Sequence, residues 1–161
     1  MPMYINKTIK NYLDDLASNN PTPGGGSAAA LTASLGAACL VMVANFTIGR
    51  EKYKFCQKEI KIALAKLEKI RNRLLELVDL DAKAYAQVVE SRNKSLREKL
   101  RAKKNAKRIP KEVCRLCHQA LILAPVLAEK GNLNLISDVE VGVELLEAGF
   151  NAALVNVKIN S

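Results

Sequence analysis

Asp81 stands where an apolar residue is due. Across residues 51–91, Tyr53, Cys56, Ile60, Ala63, Leu67, Ile70, Leu74 and Leu77 follow one another at steps of three and four. The next step lands on Asp81, and the rhythm resumes with Ala84 and Val88. A carboxyl turned toward a helical core is either paired with a cation or pushed up in pKa by lost hydration. In the second case it can carry a proton near neutral pH and act as a general acid or base. Asp79 lies off this seam and is expected in solvent. Tyr85, one turn after Asp81, is placed to hydrogen-bond it or simply to pack.

A second stretch, "PTPGGGSAAA" at residues 21–30, joins two prolines to three glycines and a run of alanines. Pro21 and Pro23 stop a helix and favour extended backbone before them. Gly24, Gly25 and Gly26 leave the backbone bare, and Ser27 or one of the glycines can cap the helix that follows. Free N–H groups at a positive helix end would suit an anionic or carbonyl-bearing ligand. A plain glycine-rich turn is the alternative. The stretch is neither a phosphate-binding G-K-S/T loop nor G-x-G-x-x-G.

Cys114-Arg115-Leu116-Cys117-His118 spells C-x-x-C-H, the pattern of c-type haem attachment. It falls inside an amphipathic segment with Cys117 on the apolar side, which favours a core cysteine. One C-x-x-C and one adjacent histidine do not make a closed zinc site, and no metal is expected. His118 is the sole histidine, so a nucleophile–histidine–acid triad cannot be argued.

These residues need a helical frame. The chain has 161 residues, 49% of them hydrophobic, enough for one domain with a core. With four tyrosines, three phenylalanines and no tryptophan, aliphatic and small side chains must fill it. Helical periodicity predicts segments over residues 3–18, 27–48 and 51–91. A fourth opens at Pro110, kinks at Pro125 and stops at Gly131. A fifth opens with "SDVE" (Ser137–Glu140), which has capping-box spacing, and runs to the end. No strand or repeat is apparent, so the expected fold is an all-α bundle of about five helices. Residues 28–48 carry no charge and approach bilayer length, but their alanine, serine and threonine content suits a buried central helix, and no membrane is expected. No apolar leader precedes them, which points to the cytoplasm and to free thiols at Cys39, Cys56, Cys114 and Cys117. The net charge is +9. Residues 92–108 are dense in Lys and Arg, with only Glu98 opposing. An RNA-binding helix is a reading of that run, although no aromatic side chain interleaves to stack on bases.

Several blocks occur together: "PTPGGGSAAALTASLGAA", "MVANFTIGREKY", "VDLDAKAY", "GNLNLISDVEVG" and "NVKIN". In this order, over nearly the whole chain, they resemble the cyclodeaminase/cyclohydrolase family. That family includes the carboxy-terminal domain of formiminotransferase-cyclodeaminases and free-standing methenyltetrahydrofolate cyclohydrolases. The resemblance implies an all-helical homodimer, closing through small-residue helices, with a folate site at the subunit interface. It implies hydrolysis of 5,10-methenyltetrahydrofolate to the 10-formyl compound, or cyclodeamination of 5-formiminotetrahydrofolate, with no metal or redox cofactor. The family's acidic catalytic residue carries over to Asp81, with Asp79 second. Asn132, Asn134, Ser137 and Asp138 match a second polar block expected beside the ligand. Arg50 and Lys52 are expected to attract the anionic glutamate tail, which can be polyglutamylated. Two departures are visible. The segment after "DAKAY" is shorter and more basic than is usual in the family, and the chain stops at Ser161 where the family adds a further helix. A non-catalytic folate-binding or oligomerising protein on the same fold is the alternative these departures raise.

Overall fold

A computed structural model describes residues 3–159. Among them are six α-helices: α1 (Ile9–Ala17), α2 (Gly25–Thr47), α3 (Gln57–Glu90), α4 (Leu96–Leu121), α5 (Ala124–Lys130) and α6 (Ile136–Ile159). Turns of 3-10 helix at Tyr4–Asn6, Glu51–Cys56, Ser91–Asn93 and Leu133–Leu135 join or extend them. The all-α expectation holds.

The centre is α2. It packs most extensively on α6 and α3, and also touches α4 and α5. Ala30, Ala33, Ala37, Leu40, Val43 and Ala44 are fully buried along it. It is long and apolar enough to cross a membrane, and 61% of that apolar window is buried inside the bundle. The small residues let helices approach within the chain. A Cβ on Gly36 would sit 2.7 Å from the Gly142 carbonyl oxygen, and one on Gly149 2.8 Å from the Ala33 Cβ. Within the chain these small residues seat α2 closely on α6, the two running antiparallel.

Several boundaries differ from the sequence expectation, each for a local reason. The first segment breaks at Lys7, after which Thr8 caps α1 by accepting from the Asn11 N–H at 3.1 Å. Cys56 has non-helical torsions, so Glu51–Cys56 stays apart from α3. The basic run is α-helical from Leu96, because Ser95 and Glu98 form a reciprocal capping box. Pro110 therefore lies inside α4 rather than at its start. At Ile122–Leu123 the chain breaks rather than kinks, and Pro125 occupies the first turn of α5, where its missing N–H costs little. The "SDVE" box does not form: α6 already begins at Ile136, leaving Ser137 in its first turn.

Candidate active site

The first turn of α2 has no side-chain cap of its own; Gly24 is the capping residue. Its partner comes from α3. The Ser27 backbone N–H hydrogen-bonds the Asp81 carboxylate, while burial, the larger effect, pushes that carboxyl above its ordinary range. Gly26 makes the approach possible, since a Cβ there would fall 2.2 Å from Asp81 Oδ1. Gly24 and Gly25 serve differently. A Cβ on either would meet nothing within 4 Å, so the helix end opens onto free space beside the carboxyl.

Tyr12 and Ser27, both buried, complete the floor; the Tyr12 hydroxyl lies 3.0 Å from Ser27 Oγ. Burial raises the Tyr12 pKa most, the Ser27 hydrogen bond opposes it, and the Asp81 charge raises it further. Tyr12 stands edge-on to Tyr4 (5.6 Å between ring centres, 89°), and the Tyr4 hydroxyl lies 3.4 Å from Thr22 Oγ1. Sequence reasoning missed Tyr12 because its helical spacing marks it only as part of an apolar face. Its hydroxyl, in a chain with four tyrosines, was the available signal.

Asp79 is not solvated, as its off-seam position suggested. It is buried, and its carboxylate accepts from the Tyr4 N–H at 2.5 Å and the Ile5 N–H at 3.4 Å. It fastens the amino-terminal turn to α3. Tyr85 is exposed one turn beyond Asp81.

Asp138 lies beside Cys39, partway along α2, and Asn132, Arg50 and Lys52 lie at its far end. Asn132 is buried there. Its N–H donates to Thr47 Oγ1 at 3.0 Å, and its Oδ1 accepts from the Asn134 N–H at 3.1 Å and the Tyr53 hydroxyl at 3.4 Å. Arg50 lies over the Phe46 ring and Lys52 over Tyr53. Asn134 and Ser137 are exposed, and Asp138, half-buried, stands close enough to raise the Cys39 pKa after the larger effect of burial. Twenty residues of helix separate Ser27 from Thr47, about 30 Å. Within one chain the two polar blocks do not meet.

The C-x-x-C-H residues form no ligand cluster. Cys117 is fully buried and burial chiefly pushes its thiol up to about 12. Cys114 Sγ lies 3.7 Å from the Phe150 carbonyl. Among the described residues no three His, Cys, Asp or Glu side chains converge.

The chain as a whole resembles known proteins. The family model described as formiminotransferase-cyclodeaminase matches residues 8–161. The chain belongs to this family. A methenyltetrahydrofolate cyclohydrolase of Methylorubrum extorquens is 40% identical over 97% of this chain and 80% of its own length. The mouse formimidoyltransferase-cyclodeaminase is 30% identical over 97% of this chain, which spans 31% of that longer protein. The crystal structure of a formiminotetrahydrofolate cyclodeaminase from Thermotoga maritima superimposes with a TM-score of 0.91 at 32% identity, covering 96% of this chain and 78% of that one.

Proposed function

We propose that the chain is a folate one-carbon enzyme that opens the methenyl bridge of 5,10-methenyltetrahydrofolate to give 10-formyltetrahydrofolate, with Asp81 as its general acid–base. The observation that carries this reading is the Asp81 carboxyl held at the bare amino end of α2, hydrated poorly enough to sit above its ordinary pKa. Closure of 5-formiminotetrahydrofolate with loss of ammonia acts on the same carbon and is the related activity. The higher identity to the cyclohydrolase relative favours hydrolysis.

The bridge carbon is electron-poor, shared between two nitrogens. Water adds to it while the Asp81 carboxylate takes a proton from that water, giving a neutral carbinolamine. Asp81 then returns the proton to N5, the carbon–N5 bond breaks, and the carbinol hydroxyl loses its proton to solvent as the formyl group forms. The N–H groups at the start of α2, over Gly24 and Gly25, are suited to the developing oxygen charge. Tyr12 and Ser27 hold the floor beneath Asp81. Asp79 is spoken for by Tyr4 and Ile5, which leaves the proton transfers to Asp81. The steps use the chain's own groups and require no metal or redox cofactor.

We further propose a homodimer. Leu35 and Phe46 are exposed on α2, with Leu31 and Met42 half-buried on the same face between its two ends. An antiparallel copy seated there would bring Asn132 of the partner subunit, with Asn134, Ser137 and Asp138 of the partner subunit, toward the Asp81 end. Arg50 and Lys52 of the partner subunit would face the glutamate tail, single or polyglutamylated. We assign the enzyme to the cytoplasm, where its four free thiols stay reduced.

The test is loss of methenyl absorbance above the spontaneous rate. Asp81→Asn should lower the enzymatic rate by at least about 10²-fold with folding intact. Gly26→Ala, which displaces the carboxyl, should lower it as well. Parent-like turnover by Asp81→Asn would refute the assignment. No turnover of either substrate by the parent would favour a binding protein on this fold.

A further inference from the structure

No step of the proposed folate chemistry uses the basic run, and α4 gives it an order. Arg97, Arg101, Lys104, Arg108, Lys111 and Arg115 recur at steps of four and three residues, and all six are exposed. At 1.5 Å per residue they form one row about 27 Å long. The opposite face of α4, with Ala102, Ile109, Val113 and Leu116, is buried against the bundle. Clefts of about 500 Å³ flank the row; Lys94 from the α3–α4 junction and Arg73 from α3 also line them. The acids near this groove are few, and all but Glu90 are occupied: Glu98 closes the capping box, and Arg73 holds Glu76 and Glu112. Among the described residues only Arg115 of the row is in an ion pair, with Glu112 at 3.9 Å. Like charges a turn apart repel and weaken a helix. The described residues supply no counter-row to offset them.

We propose that this row is a docking surface for the sugar–phosphate backbone of double-stranded nucleic acid. The row lies along one continuous helix, and a duplex presents roughly 16 charges over its 27 Å at one per 1.7 Å. Four of the six cations are arginines, whose planar fork matches phosphate oxygens. Among the described residues no aromatic side chain lines the groove, so it lacks the stacking platform that holds single strands and suits the backbone instead. Leu96 and Leu100 are exposed at one end only, short of the continuous apolar face by which a helix lies in a membrane surface.

Fluorescence anisotropy on the full chain tests this, with labelled RNA and DNA duplexes of about 24 base pairs and the matching single strand, from about 50 to 200 mM salt. Saturable duplex binding is expected, tighter than to the single strand, with log K falling against log salt at a slope of about −5. The triple variant Arg101→Gln/Lys104→Gln/Arg108→Gln should bind duplex with a slope of about −3 while keeping its circular dichroism and its methenyl turnover. Comparison of the two duplexes assigns RNA or DNA as the source of the phosphates. Absence of saturable duplex binding at the lowest salt would overturn the proposal, as would an unchanged slope in the variant or preference for the single strand. Tighter association with phosphatidylserine vesicles than with duplex would make the face a membrane contact and overturn it too. The outcome is independent of Asp81 chemistry.

Discussion

At the residue scale, Asp81 accepts a hydrogen bond from a helix amino terminus, an arrangement that should depress its pKa, yet burial outweighs it. The sign for stability follows. A carboxyl whose folded pKa lies above its unfolded value favours folding most below the unfolded value of 3.8, and that contribution is lost as pH rises toward the folded value. Asn at this position keeps an acceptor for Ser27 and never ionises. The stability of Asp81→Asn relative to the parent should therefore rise as pH climbs above about 4 and then level off, read by urea unfolding across that range. A pH-independent difference would mean that Asp81 is as well solvated folded as unfolded. Asp81 was legible in the sequence because a charge interrupts an otherwise regular seam. Asp79 was not, because its partners are backbone N–H groups some 75 residues earlier, which no periodicity announces.

At the element scale, the glycines of α2 and α6 set how closely those helices lie. A Cβ on Gly149 would fall 2.8 Å from the Ala33 side chain and 2.9 Å from its backbone nitrogen, and backbone cannot rotate away. Gly149→Ala should thus cost about 1–3 kcal/mol, although alanine is the better helix former, and lower the melting temperature by several degrees. A neutral or stabilising result would show that the two helices have slack between them. The long helices were readable from periodicity, but their ends depended on which cap prevailed. Ser95 and Glu98 captured the start of α4, so the helix passes through Pro110 despite the backbone bond it forfeits. The competing box at Ser137 lost to a start one residue earlier.

At the scale of the whole molecule, the all-helical class followed from periodicity, whereas the distance between the two polar blocks could not. Ser27 and the Thr47 that holds Asn132 stand about 30 Å apart along one helix. A dimer formed over the exposed face of α2 would resolve this. The parent should sediment as a dimer, and Leu35→Glu/Phe46→Glu should sediment as a folded monomer with methenyl turnover reduced along with it. A fully active monomer would place the whole site within one chain.

One rigid rod carrying a polar block at each end also fixes which changes of length the protein can survive. Insertion of a single residue in the middle of α2 would advance one block by 1.5 Å and swing it by about 100° around the axis relative to the other. No side-chain adjustment absorbs such a rotation. The junction between α3 and α4 bears no such constraint, because neither block lies across it. Among related chains, gains and losses of residues should therefore collect after Glu90 and spare Gly25–Thr47, whose span works as a gauge as much as a core.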